Sequence, residues 1–332
     1  MKLTTKLLTA TAIVAASGAF AEDLEVMHWW TSGGEAAAVG ELAKAFDATG
    51  NKWVDAAIAG GDAARAVMVS RLTGGDPMGA FQFNHGRQAE ELIEAGLLRD
   101  ITDIAEAEGW TDIINPPSLL ESCTVDGRIY CAPVNIHSWQ WLWLSHKAYD
   151  DAGLDVPTNW DEYVASASAL NDAGKLPLAM GQQGWQQRGL FNTLFAALVP
   201  NEVFLAVYDD KDADVAAGAD VARVFAAAAD AREMASNSTV QNWNDATNLV
   251  ITGQAGGQIM GDWAQGEFAV AEQVAGTDYS CLPGLGVTEL LSTGGDAFYF
   301  PVLTDEAQIA AQSELAALML RPDTQGAFNL AK

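Results

Sequence analysis

The sequence predicts an α/β protein of two lobes, and three observations carry that expectation. Strand-like and helix-like periods alternate along the chain, glycine-containing loops separate them, and 332 residues exceed the length that one ordinary hydrophobic core organises. The first residues stand apart from this pattern. Lys2 and Lys6, the apolar run LLTATAIVAASG and the small-residue site AFA at 19–21 read as an export signal cleaved before Glu22, too short for a membrane span. No later stretch offers about 18 consecutive apolar residues, so no membrane insertion is expected.

The elements follow in order. LEVMHWW reads as a strand; after a Thr-Ser-Gly-Gly loop, Val39, Leu42, Ala43 and Phe46 fall at helical spacing, with Gly50 as the stop. WVDAAIAG is the next strand, a helix follows around 62–73, and GAFQFN precedes the helix QAEELIEAG. This alternation predicts a largely parallel sheet. CTVDGRIYC then reads as a hairpin turning at Asp126-Gly127, which makes a Cys123–Cys131 disulfide plausible and leaves Cys281 over. From Ala132 a long extended run carries Trp139, Trp141 and Trp143 on alternate positions, which assigns all three to one side of a strand and to core packing. VPTNWDEYVASASALNDAG predicts a helix capped by Thr158, with Trp160, Val164, Ala167 and Leu170 on one face and Gly174 as the stop. Alanine-rich, acidic helices are expected over 212–236. GQAGGQIMGDW reads as a strand ending at Asp262 and Trp263, and AFYFPVL as another before the apolar helix EAQIAAQSELAALML.

Charge narrows the partners. After removal of residues 1–21 the chain holds 15 basic against 44 acidic residues, a net of −29, which repels nucleic acid and anionic membrane. His28, His85, His137 and His146 lack metal-ligand spacing, the glycine loop fits neither a phosphate nor a dinucleotide fingerprint, and no Gly-x-Ser-x-Gly elbow occurs, so neither metal nor cofactor is expected. A glycosidase-type carboxylate pair is defined by spatial separation and stays open, as does a secreted carbohydrate-active enzyme.

What the loops do carry is aromatic rings beside short polar groups: Trp29, Trp30 and Glu35; Gln82, Asn84 and His85; Gln182, Gln183 and Trp185; Asp262 and Trp263. Several of these sets follow strand-like runs, where open α/β sheets bind ligands. A sugar suits them, because its C–H faces lie on indoles while its hydroxyls need many donors and acceptors. A few charge-assisted bonds at roughly 1.5–3 kcal/mol each, plus stacking, support micromolar affinity without any reactive group.

VMHWWTSGGE, PVNIH, VPTNWDEY and QIMGDWAQGE, in this order, resemble the glucose-binding proteins of bacterial ABC sugar importers, within the class of extracellular solute-binding proteins. The resemblance spans essentially the whole mature chain. It implies two α/β lobes joined by crossing hinge segments with the ligand cleft between them, one lobe from 22–132 plus 296–332 and the other from 133–295. It further implies a periplasmic monomer that binds a monosaccharide, most specifically glucose, and delivers it to a membrane permease; galactose, mannose or a short oligosaccharide are the alternative ligands. Carried over residue by residue, Trp29 and Trp30 line the cleft, Glu35 accepts sugar hydroxyls, Gln82 is a polar contact and Trp263 stacks on the sugar. Asp296 and Lys332 match further hydroxyl contacts. Asn84 stands where the family tends to place a lysine or histidine, and His85 follows directly, so either can face the ligand. Asp262 is expected to satisfy backbone amides. The family continues beyond the residue matching Lys332 with another cleft histidine and a cysteine able to pair with Cys281, which implies a further C-terminal segment.

Overall fold

The computed structural model describes residues 22–332, so the expected export signal lies outside the described residues. The first sheet takes the strand order Lys52–Ala57, Asp23–His28, Ala80–Asn84, Asp296–Tyr299, Cys131–Pro133. Its first three strands are parallel, because helices Gly33–Asp47 and Gly61–Gly74 carry the chain back across the sheet between them. The sheet departs from the parallel expectation at Asp296–Tyr299, which runs antiparallel to both neighbours: it enters from the distant second lobe and needs no helical crossover.

Helix Gly33–Asp47 shows how the sequence sets the packing. The Glu35 carboxylate takes hydrogen bonds from the Ser32 amide at 3.4 Å and hydroxyl at 3.1 Å, fixing the helix start. Ala38, Val39, Leu42 and Phe46 then share the buried stripe; the helix ends at Asp47 with Ala48 as its cap, and Gly50, in the turn beyond, takes a φ of 98°. The core beneath includes Leu24, Val26, Phe81, Phe83 and Phe298, each fully buried. Burying each such side chain stabilises the fold by roughly 1.5–3 kcal/mol.

The second sheet has the order Tyr279–Pro283, Trp141–Ser145, Ala255–Met260, Leu176–Leu178, antiparallel except for the last pair. Leu142, Tyr163 and Leu194 belong to the core on one of its sides, and Trp143, Trp243 and Phe268 to another cluster. Among the described residues the chain crosses twice between the two sheets. His137–Ser138 and Thr293–Gly294 pair there as a two-stranded antiparallel ribbon, so the crossing segments run side by side. The architecture is thus two α/β lobes joined by crossing segments.

Local details confirm some expectations and correct others. The hairpin forms with Thr124 opposite Ile129, Asp126 and Gly127 both at positive φ, and the Cys123–Cys131 disulfide closing its base; Cys281 is unpaired and half-buried. The long run from Ala132 is not one strand: it breaks into Cys131–Pro133, His137–Ser138 and Trp141–Ser145, then turns helical at His146. Trp139 therefore falls outside the strand that holds Trp141 and Trp143. QAEELIEAG opens as a 3-10 turn over Arg87–Ala89, and its α-helix covers only Glu90–Glu94. Asn159, not Thr158, caps helix Trp160–Asp172, its amide oxygen accepting from the Glu162 amide at 3.0 Å, while the Thr158 hydroxyl donates to the Glu162 carboxylate. None of the described helices is long and apolar enough to cross a membrane.

Candidate functional site

A cavity of about 580 Å³ opens between the lobes, within the range of small-molecule sites. Trp29, Trp30, Glu35, Asn84, Trp263, Asp296 and Lys332 all line it: Trp29 and Trp30 follow strand Asp23–His28, Glu35 is in helix Gly33–Asp47, Asn84 and Asp296 lie in the first sheet, Trp263 follows strand Ala255–Met260 and Lys332 follows helix Pro322–Ala331. The strand Asp23–His28 stops before Trp29, so both opening tryptophans sit on the loop at its carboxyl end, where the sheet presents its binding edge.

Asp296 is the polar centre. Its side chain is 6% exposed and is surrounded by donors: Gln82 Nε2 at 3.0 Å and Asn84 Nδ2 at 3.3 Å on Oδ1, Asn135 Nδ2 at 2.9 Å on Oδ2. His137 Nδ1 at 3.4 Å and Lys332 Nζ at 3.5 Å complete the ring. Burial pushes this carboxyl up, but the Lys332 charge and the His137 and Asn135 contacts outweigh it and hold Asp296 well below the usual carboxylate range. Glu35 goes the other way: burial pushes it up to about 7, against the pull of Lys332 and the Ser32 hydrogen bonds. Two carboxyl groups of one cavity are thus held in opposite directions.

The aromatic wall is larger than expected. Trp30 is 2% exposed and packs on Phe298 and Phe328, with Lys332 Nζ 4.8 Å above its ring, so it acts as a floor that seats the lysine. Trp29 is less buried and carries the Arg65 guanidinium at 5.9 Å. Across the cavity Trp139 meets Trp263 edge-on at 4.7 Å and Trp185 at 5.7 Å, and Trp243 meets Trp263 at 6.4 Å. Perpendicular rings of this kind brace one another and leave faces free for a ligand.

Gln82 departs from its expected position. It is fully buried and does not line the cavity; its amide oxygen accepts from the Trp29 backbone at 3.0 Å while its amide nitrogen donates to Asp296. On its strand it points into the layer beneath the cleft, where it joins the two groups above. Asn84 and His85 both face the cavity. Asn84 is held by Asp296 and Gln88, whereas His85 bonds Ser122 through Nδ1 at 2.7 Å and has a buried Nε2 without a partner. Asp262 accepts from the Ser138 amide at 2.9 Å and hydroxyl at 3.0 Å, the structural task expected of it.

Trp139, Trp243, Arg65 and Arg188 line the cavity without having been singled out as site residues. Arg65 had a readable signal, since it lies just past the first turn of helix Gly61–Gly74, which follows the Ala-Gly loop of the second strand. Among the described residues no cluster of three or more histidine, cysteine, aspartate or glutamate side chains is arranged to hold a metal ion.

Residues 30–319 match the family described as bacterial extracellular solute-binding protein. A probable sugar-binding periplasmic protein of Rhizobium meliloti is 34% identical over 99% of this chain and 80% of its own length. One of the same description from Brucella melitensis is 36% identical over 94% of this chain and 74% of its own. The solute receptor AcbH, described as having an exclusive preference for β-D-galactopyranose, shares the fold at a TM-score of 0.75 and 18% identity, covering 93% of this chain and 79% of its own. On the extent of these matches, the chain belongs to the bacterial extracellular solute-binding protein family.

Proposed function

We propose that this chain is exported to the periplasm, captures a monosaccharide between its lobes and delivers it unchanged to the permease of an ABC importer, with D-glucose as the ligand. The observation that carries the reading is the Asp296 ring of donors set into an aromatic cavity between two lobes. Asp296, Lys332, Asn84 and Glu35 meet sugar hydroxyls, Trp263 and Trp29 offer ring faces, Trp30 seats Lys332, and Gln82 orients Asp296 from below. The lobes comprise 22–132 plus 296–332 and 133–295, with His137–Ser138 and Thr293–Gly294 at the hinge. The protein works as a monomer without metal or cofactor. Sugar-binding relatives of the same family support the ligand class.

Isothermal calorimetry on protein beginning at Glu22 tests this with D-glucose, D-galactose, D-mannose and maltose. Micromolar binding of D-glucose, with the sugar recovered intact, is the expected result; silence with all four overturns the ligand assignment. The opposed shifts of Glu35 and Asp296 favour one rival, a carbohydrate-active enzyme using them as acid and base. Release of reducing sugar from glucosides, abolished by Glu35→Gln, would establish it.

A further inference from the structure

Away from the cavity, the lobes touch where two helices meet. The amide of Gly34, in the first turn of helix Gly33–Asp47, donates to Oε1 of Glu267 at 2.9 Å. Such an amide has no acceptor within its own helix, and the positive end of the helix favours a carboxylate. Glu267 belongs to helix Ala264–Val270, on the other side of the cleft.

The backbones approach closely enough to exclude any side chain. A Cβ on Gly34 would lie 2.7 Å from Gly266 Cα and 2.8 Å from its carbonyl carbon; one on Gly266 would lie 2.8 Å from the Lys332 carbonyl oxygen and 3.0 Å from Gly34 Cα. Neither glycine has a positive φ, so each lobe alone tolerates alanine there and the obstruction exists only across the contact. Gly34, Gly266 and Glu267 do not line the cavity, yet they adjoin residues that do: Ser32 and Glu35 on one side, Trp263 on the other. The contact therefore presses the two walls of the cleft together without offering the ligand anything.

We propose that Glu267 on the Gly34 amide, seated by the bare Gly34–Gly266 contact, is a latch that holds the lobes closed in the sugar-free protein and sets ligand affinity from outside the binding site. A cleft already closed raises apparent affinity in proportion to its closed fraction, because less of the binding energy goes into moving the lobes. The latch is independent of which ligand binds; its effect on D-glucose affinity rests on the function proposed above.

The test is small-angle X-ray scattering of sugar-free wild type, Gly34→Ala, Glu267→Ala and Glu267→Gln, with D-glucose calorimetry on each. Gly34→Ala and Glu267→Ala should both show a larger radius of gyration than wild type. Glu267→Gln keeps an acceptor oxygen but loses the charge that the helix end favours, so it should fall between wild type and Glu267→Ala. Glucose affinity should fall by about tenfold or more in the two opened variants, the loss expected for one hydrogen bond to a charged group. Alanine is also the better helix former, so Gly34→Ala should keep its circular dichroism while opening, a split that a purely structural role would not give. Identical scattering of wild type and both alanine variants overturns the latch. A shift in scattering without glucose binding by wild type leaves the latch standing and removes glucose as the ligand.

Discussion

Replacing Asp296 with asparagine tests the centre of the site at constant size. The wild-type carboxylate accepts from Gln82 and Asn84 on one oxygen and from Asn135 on the other, with Lys332 at 3.5 Å and His137 at 3.4 Å beside it. Asparagine keeps one acceptor and adds two donors. Turned toward Gln82, it sets its NH2 against Asn135 and Lys332; turned the other way, against Gln82 and Asn84. Either way a donor faces donors, and Lys332, whose side chain is only 12% exposed, loses its counter-charge. Removing one partner of a buried pair costs about 3–5 kcal/mol, and Lys332 retains some access to water, so about 3 kcal/mol is expected at pH 7. Urea unfolding should show this as a lower midpoint with unchanged slope. Because the folded Asp296 carboxyl lies below its unfolded range, its contribution is present above about pH 3.9 and is lost as pH falls through the folded value, so the two proteins should converge in strong acid. A difference at pH 7 within about 0.5 kcal/mol, the scatter of an ordinary surface change, would refute the central role given to this carboxylate.

Three further outcomes follow from the same geometry. Glu35 keeps its proton up to about pH 7 in the folded state against 4.5 ordinarily, so its contribution to stability is full below pH 4.5 and is lost as the pH rises to about 7. Glu35→Gln should abolish that decline, and parallel urea midpoints for both proteins at pH 4.5 and 7.5 would contradict it. Trp263→Ala should weaken D-glucose binding by about tenfold, through lost stacking and the loosened Trp139 and Trp243 edges, with an unchanged calorimetric Kd counting against a ligand face there. Asn159→Ala should cost about 1 kcal/mol by uncapping its helix, and thermal melts should show Thr158→Ala costing less.

The first strand, loop and helix were legible because 24–50 states their periods and the stop within one short window. The loop aromatics were legible for a related reason: Trp29 and Trp30 break an apolar strand just where the sheet ends. Other site residues depend on distant parts of the chain. Trp139 keeps the period-two spacing of Trp141 and Trp143, yet the strand starts after it, because residues 137–138 pair instead with 293–294. Gln82 reads as a loop-end polar residue, but the arrival of Asp296–Tyr299 beside its strand buries it and gives it Asp296 as partner. Asn159 and Thr158 both have capping chemistry, and only the backbone decides which oxygen reaches the Glu162 amide. The Gly34–Gly266 contact joins residues more than two hundred positions apart, and neither glycine is distinguishable from a loop glycine by its neighbours.

The strand Asp296–Tyr299 lies between Ala80–Asn84 and Cys131–Pro133 in the first sheet, and the Val134 amide donates to the Asp296 carbonyl at 3.0 Å. A strand interior to that sheet is therefore supplied by residues made long after its neighbours. During synthesis the three parallel strands and Cys131–Pro133 emerge while their middle is vacant, with Phe81 and Phe83 waiting for Tyr299, and Trp30 and Trp53 for Phe298. The first lobe can begin to collapse early, but its sheet closes only when Tyr299 is available. An emerging chain thus spends the interval of the whole intervening lobe with two unpaired strand edges exposed, which is when a holding chaperone has most to protect.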